Sequence, residues 1–170
     1  MMKLVSAQDF DLRREVEYGS PEQNEAVKAI VQAVKAEGDA ALLRYTEQFD
    51  GMKLEASGLR VTKEELEAAY AAVEPSFVTA IRGAAQNIRA FHARQKRNSW
   101  MDLQPDGSLL GQIIRPLKRV GVYVPGGKAA YPSSVLMNVI PAQVAGVPEI
   151  VMVTPPATGG KAGIDPHILV

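Results

Sequence analysis

Apolar residues recur every three or four positions through much of residues 20–98, which is the spacing of an amphipathic helix. Capping boxes that begin at Ser20 and Thr62, and a proline at position 75, indicate where helices start. Gly38-Asp39 indicates a stop followed by a new N-cap. The pattern therefore predicts four helices. The expected apolar stripes contain Val27, Ile30, Val31 and Val34 in the first helix, and Phe77, Ile81, Ala84, Ile88 and Phe91 in the fourth.

The pattern changes after Ser99. Residues 100–118 form two short extended segments around a Pro-Asp-Gly turn, which predicts a β-hairpin. From Arg119 onward, RVGVYV and EIVMVTPP are apolar runs separated by the helix-like SSVLMNVIPAQVAG. Two strands joined by a helix-sized crossover are expected to be parallel neighbours in a sheet covered on both faces. We therefore predict an α/β fold in which a helical N-terminal part and a β-hairpin lead into an incomplete Rossmann-like parallel-sheet domain.

We place a domain boundary after residue 118. Residues 1–118 are expected to be an N-terminal helical segment and hairpin, part of a first α/β domain, and residues 119–170 to begin a second, Rossmann-like cofactor-binding domain. The final GIDPHILV offers Asp165 as an N-cap before an apolar run that stops at Val170. Two parallel strands with one crossover cannot bury both faces, so we expect the front portion of a longer enzyme. The alternative is a complete small α+β protein with a frayed tail.

Composition narrows the classes of function. Lys plus Arg and Asp plus Glu both number 19 among 170 residues, so no net positive field attracts nucleic acid or a membrane surface. Cysteine is absent, which excludes a disulfide, a thiolate nucleophile and a Cys-type zinc site in these residues. The N-terminus lacks the apolar stretch of a signal peptide, and no window approaches the roughly 20 apolar residues of a membrane helix. We expect a cytoplasmic location.

The stretch GVYVPGGKAAYPSS, residues 121–134, turns from a strand to a helix. Ligands of open α/β sheets bind beyond such strand ends, and glycines there allow close approach of a ligand to the backbone. The stretch matches neither GxGxxG nor GxxxxGK[ST], so its spacing leaves a binding loop and a plain turn equally open. Tyr123 is either a binding aromatic or an ordinary core tyrosine. Lys128, Ser133 and Ser134 are either phosphate or substrate contacts, or a solvated lysine and N-cap serines.

The histidines, His92 and His167, have no carboxylate or second histidine at metal-ligand spacing. We interpret His92 as a structural residue of the fourth helix, and we expect His167 to be exposed in the first turn of the last one. Neither is assigned to zinc.

Residues 115–156, RPLKRVGVYVPGGKAAYPSSVLMNVIPAQVAGVPEIVMVTPP, resemble the segment typical of histidinol dehydrogenases. NIRAFHARQ at 87–95, with SWMD just after it, is also similar to that family, and the resemblance extends along most of the chain. A more distant likeness is to the aldehyde dehydrogenase type of fold, in which a VGVxxPxxxYP segment leads into a helix near the cofactor.

The resemblance implies a zinc-dependent, NAD-linked homodimeric enzyme that oxidises L-histidinol through the aldehyde to L-histidine, the last step of histidine biosynthesis. The matching tyrosine of the family contacts NAD, so the resemblance implies that Tyr123 binds the cofactor, with Pro125, Gly126 and Gly127 beside it. The family's zinc ligands and Glu-His catalytic pair correspond to nothing in residues 1–170. We therefore predict no catalytic or metal-binding residue here, and no activity for these 170 residues alone.

Two alternatives stay open at this point. One is an NAD oxidoreductase of the aldehyde dehydrogenase class with another substrate. A Glu-His pair further along the chain, without a nucleophilic cysteine, would favour histidinol dehydrogenase over this alternative. The other is a non-catalytic binding or scaffold module, in which PGG is a plain turn and the helices form a docking surface. Titration with NAD separates this module from either enzyme.

Overall fold

The computed structural model describes residues 19–126, 129–157 and 163–170. Helices occupy the first part of these ranges, and strands appear after residue 99, which confirms the predicted mixed α/β fold. The helices are α1 (Pro21–Glu37), α2 (Asp39–Asp50), α3 (Lys63–Ala72), α4 (Pro75–Ala93), α5 (Pro132–Ala145) and α6 (Pro166–Leu169), with a short 3₁₀ helix at Ala56–Leu59. The strands are β1 (Trp100–Leu103), β2 (Leu109–Gln112), β3 (Arg119–Tyr123) and β4 (Glu149–Val153).

Local sequence signals set the helix starts. The hydroxyl of Ser20 accepts a hydrogen bond from the backbone N–H of Gln23, whose side-chain oxygen accepts one from the N–H of Ser20. The predicted capping box at Thr62 is formed in the same way. The predicted N-cap role of Asp39 is wrong: Gly38, with a φ of 61°, ends α1 and also caps α2, so Asp39 is already helical.

The predicted hairpin is confirmed. β1 and β2 pair antiparallel, with Trp100 opposite Gln112 and Leu103 opposite Leu109. At the tip, the Asp106 carboxylate accepts hydrogen bonds from the backbone N–H and the hydroxyl of Ser108, at 2.9 and 2.6 Å. Every residue of both strands is exposed, so the hairpin projects from the molecule.

The second sheet contains β3 and β4, which are parallel and joined by α5. One of its faces packs against α5 and α6, because Val122, Val124 and Ile168 form a buried cluster. Partly buried side chains complete this cluster: Ala130, Val135, Val139, Ile150, Met152 and Ile164. The opposite face, with Tyr123, Val151 and Val153, is exposed. This agrees with the expectation that two strands and one crossover cannot bury both faces, since α5 and α6 pack on the same face in the described residues. Cover on the second face stays a prediction.

The helices pack loosely. α4 lies against α5, where the Arg89 guanidinium donates a 2.6 Å hydrogen bond to the side-chain oxygen of Gln143, and α3 lies against α6. No residue of α1 or α4 is buried. Of the predicted apolar stripe of α1, Val27 and Val31 are exposed, whereas Ile30 and Val34 are half-buried.

None of the helices in the described ranges has the length and apolar character needed to cross a bilayer. The packing of α4 on α5 joins elements from the two sides of residue 118. The division into two domains at that residue stays a prediction.

Candidate functional site

The carboxyl ends of β3 and β4 lie side by side. Tyr123, the last residue of β3, is opposite Val153, and the backbone N–H of Val124 donates a 2.9 Å hydrogen bond to the Val153 carbonyl. The residue Tyr123 is 63% exposed, on the uncovered face of the sheet. It is therefore not an ordinary core tyrosine, and its ring is accessible at the strand end.

The turn after β3 passes very close to the chain that follows β4. A Cβ atom at Gly126 would lie 2.8 Å from the hydroxyl oxygen of Thr154 and 3.2 Å from the carbonyl oxygen of Pro155. Glycine is thus required here because the two segments touch, whereas a positive φ is not involved. Pro125 just before it is exposed. Gly127 and Lys128 lie outside the described residues, so their predicted roles stay predictions.

Thr154 was not among the residues singled out from the sequence. Its hydroxyl oxygen is buried and has no hydrogen-bond partner, the one such side-chain atom found across the described ranges. A buried hydroxyl without a partner costs about 1–3 kcal/mol. Its position in the sequence could have identified it, because Thr154 directly follows the apolar run of β4 just as Val124 follows that of β3.

The start of α5 lies after the same turn. Its N-cap is Tyr131, which provides no side-chain hydrogen bond to the helix, and Pro132 is the first helical residue. The interpretation of Ser133 and Ser134 as N-cap serines is wrong, because both already lie inside the helix. The first turn of α5 therefore carries N–H groups without a side-chain cap, an arrangement that favours a negatively charged group nearby.

These features fit a nucleotide cofactor at the strand ends. An exposed aromatic ring, Tyr123, lies beside the Gly126 turn, and the first turn of α5 carries N–H groups without a side-chain cap. Aromatic rings and backbone N–H groups are the contacts that suit the rings and phosphates of such a ligand.

The described residues do not fit a zinc ion. Across the described ranges, no group of three or more His, Cys, Asp and Glu side chains is placed to hold a metal. His167 is the nearest approach to such a group, with its Nδ1 2.9 Å from an Asp165 oxygen and its Nε2 3.9 Å from a Glu74 oxygen. The Asp165 contact is local to the start of α6, and the Glu74 contact links α6 to the start of α4.

The expectation that His167 is exposed is wrong. Its side chain is half-buried, and its ring packs edge-on against Phe77 at a centroid distance of 4.7 Å. The physical reason is the packing of α6 against neighbouring helices, which sequence spacing does not show. The Nδ1–H of His92 donates a 2.7 Å hydrogen bond to the side-chain oxygen of Gln95, beside Pro141 of α5, in agreement with its structural interpretation.

The described residues contain a parallel β–α–β unit. An accessible aromatic residue and a close glycine turn lie at its strand ends. This arrangement defines an α/β protein of the kind that binds ligands at the carboxyl edge of a sheet. The sequence model of the family described as histidinol dehydrogenase matches residues 13–170. The chain belongs to the histidinol dehydrogenase family.

Individual relatives agree with this assignment. The chain is 54% identical over 161 residues to the histidinol dehydrogenase of Halalkalibacterium halodurans, covering 94% of this chain and 38% of the relative. It is 56% identical over 149 residues to that of Geobacillus kaustophilus, covering 88% and 35%. The crystal structure of histidinol dehydrogenase from Elizabethkingia anophelis matches with a TM-score of 0.80 and 39% identity, over 92% of this chain and 35% of the other. The chain thus spans between 35% and 38% of the length of these relatives.

Proposed function

We propose that this chain is part of a zinc-dependent histidinol dehydrogenase, which oxidises L-histidinol to L-histidine with two NAD in histidine biosynthesis. The family match over residues 13–170 carries the proposal. The enzyme is proposed to work in the cytoplasm as a homodimer. The aldehyde dehydrogenase class and the scaffold module are not favoured, because the family match and the relatives named above are all histidinol dehydrogenases.

The contribution of these residues is to hold the cofactor. NAD, when bound, supplies the hydride acceptor for both oxidation steps. Tyr123 offers its ring as a flat apolar surface and its hydroxyl as a hydrogen-bonding group at the end of β3. Pro125 and Gly126 lie in the turn beside it, and the absence of a side chain at Gly126 keeps that turn against Thr154 and Pro155. Gly127, the next residue in the sequence, is proposed to contact the cofactor as well.

The acid-base and metal chemistry is assigned to other parts of the enzyme. Within the residues that the structure describes, no set of side chains fits zinc, and His167 is occupied by Asp165, Glu74 and Phe77. The 170 residues alone are therefore proposed to be inactive, even though they contribute the cofactor contact.

The test is NADH formation that depends on L-histidinol. The complete polypeptide that carries this sequence is expected to reduce NAD with histidinol, to lose this activity on chelation and to regain it with added zinc. The purified 170-residue chain, assayed at the same concentration, is expected to form no NADH. Turnover by the 170-residue chain, or reduction of NAD with an unrelated aldehyde but not with histidinol, would contradict the proposal.

A further inference from the structure

The turns that follow β3 and β4 touch at two residues, Gly126 and Thr154. A Cβ atom at Gly126 would lie 2.8 Å from the hydroxyl oxygen of Thr154, so this hydroxyl faces the backbone of the Gly126 turn. The oxygen is buried and, within the described ranges, has no hydrogen-bond partner. Because it is covered, it does not contact a bound ligand directly, and its effect on a ligand is transmitted through the turn.

The hydrogen-bond ladder between the two segments ends just before this contact. Its last bond runs from the backbone N–H of Val124 to the Val153 carbonyl, at 2.9 Å. The N–H of Gly126, two residues further on, forms no hydrogen bond with the described part of the chain. An N–H that can donate and a hydroxyl oxygen that can accept therefore lie in touching segments without being bonded to each other.

Packing alone does not explain a threonine at position 154. Valine has nearly the same shape, is equally suited to the end of a strand, and leaves no buried hydroxyl without a partner. Buried polar groups without a partner are rare in native proteins, and stored strain is concentrated at binding and catalytic sites. Thr154 occupies such a place, because the carboxyl ends of β3 and β4 are where an α/β sheet binds its ligand.

The segment between the contact and Tyr123 is short and stiff. Val124 is fully buried and bonded to β4, and the ring of Pro125 restricts the backbone dihedral φ. Only these two residues separate Gly126 from Tyr123. The position of the Gly126 backbone is therefore coupled to the strand end that carries the Tyr123 ring.

We propose that Thr154 is a positioning residue for the cofactor. When NAD is bound, the N–H of Gly126 donates a hydrogen bond to the Thr154 hydroxyl, and this bond holds the strand end with Tyr123 in place against the cofactor. Because the bond forms only in the bound state, it increases the affinity for NAD, whereas the unpartnered hydroxyl lowers the stability of the free protein. The inference rests on the proposed function and extends it to a residue that does not touch the cofactor.

The proposal predicts opposite effects on stability and on cofactor affinity. Thr154→Val is expected to raise the urea midpoint of the free protein and to weaken NAD binding by about fivefold, which corresponds to one ordinary hydrogen bond. Thr154→Ser keeps the hydroxyl, so it is expected to bind NAD as the wild type does, although loss of the methyl group lowers its urea midpoint. A side chain that only packs would not separate the two quantities in this way.

The first measurement is isothermal titration calorimetry with NAD on the complete polypeptide that carries this sequence, together with urea denaturation. Thr79→Val is the control, because the Thr79 hydroxyl donates a 3.0 Å hydrogen bond to the Pro75 carbonyl on exposed α4, and NAD binding is expected to be unchanged. Equal NAD affinity of the wild type and Thr154→Val, or an equal loss in Thr154→Ser, would overturn the proposal. A lower urea midpoint for Thr154→Val would do so too, since the hydroxyl would then be bonded in the free protein.

The second measurement is amide hydrogen exchange at Gly126, followed by mass spectrometry on short overlapping peptides with and without saturating NAD. NAD is expected to slow this exchange in the wild type and in Thr154→Ser, and the slowing is expected to be lost in Thr154→Val. The same slowing in all three proteins would show that the hydroxyl does not receive the bond.

The two levels of the account fail in different ways. A wild type that neither binds NAD nor forms NADH from histidinol would overturn the inference and the proposed function together. Failure of the inference alone would leave the histidinol activity in place, with NAD bound equally by the wild type and by Thr154→Val.

Discussion

Tyr123 and Val153 are directly opposite each other at the carboxyl ends of two parallel strands, and the two residues are 63% and 56% exposed on the same uncovered face. The residues before them, Val122 and Met152, point the other way into the core. The alternation of the pleat therefore places an aromatic ring outside the core at the strand end, where α/β sheets bind ligands.

Gly126 is expected to tolerate no larger side chain. Gly126→Ala places a Cβ atom 2.8 Å from the stiff hydroxyl of Thr154, so the free energy of unfolding is expected to fall by about 1–3 kcal/mol. Gly121→Ala is the matched control, because a Cβ there meets no atom within 4 Å. Urea denaturation measures both. An unchanged midpoint for Gly126→Ala would show that the two turns do not touch.

The buried hydroxyl of Thr154 is expected to reduce stability. Thr154→Val keeps the shape of the side chain and removes the unpartnered hydroxyl, so the free energy of unfolding is expected to rise by about 1 kcal/mol. Thr46→Val is the control, because its hydroxyl already donates a 2.9 Å hydrogen bond to the Leu42 carbonyl on an exposed helix. Urea denaturation compares the two. A loss of stability in Thr154→Val would mean that the hydroxyl has a partner.

The hairpin register is expected to require Gly111. A Cβ atom at this position would lie 2.5 Å from the Trp100 carbonyl oxygen, so Gly111→Ala is expected to disrupt the pairing of β1 with β2 and shift the emission of Trp100. Gly83→Ala, in the open interior of α4, is expected to leave that emission unchanged and to stabilise the chain by about 1 kcal/mol. Identical emission spectra for both variants would contradict the register.

The contact between α1 and α2 is expected to depend on pH. The Glu37 carboxylate accepts hydrogen bonds of 2.6 and 3.1 Å from the Arg44 guanidinium, which lowers the pKa of Glu37 below its usual value. A carboxyl whose pKa is lowered by folding stabilises the fold above its usual pKa, and this contribution is lost as the pH falls through the lowered value. In an NMR titration, Arg44→Gln is expected to raise the pKa of Glu37, whereas Arg82→Gln leaves it in place. An equal pKa in both variants would contradict the ion pair.

The sequence is most informative where the structure is determined by neighbouring residues. The capping boxes at Ser20 and Thr62, the hairpin turn at Asp106 and the crossover between β3 and β4 each need only a few adjacent side chains, and all four were predicted. Gly38 is the local exception, because one glycine serves both as the end of α1 and as the start of α2.

The missed features depend on contacts between distant segments. The half-buried position of His167 results from the docking of α6, and the close approach of Gly126 to Thr154 joins two turns that are 28 positions apart. The sequence does predict that one crossover leaves part of the two-stranded sheet uncovered, but it does not show which face, because that depends on where α5 and α6 pack.

The most direct test of the account is the affinity of the complete polypeptide for NAD, measured by isothermal titration calorimetry in the wild type and in Tyr123→Ala. The account predicts that the variant binds NAD at least tenfold more weakly, equivalent to about 1.4 kcal/mol. Tyr70→Ala, which removes an exposed tyrosine from α3, is predicted to bind as the wild type does. Equal affinities in all three proteins would contradict the assignment of Tyr123 as the cofactor contact.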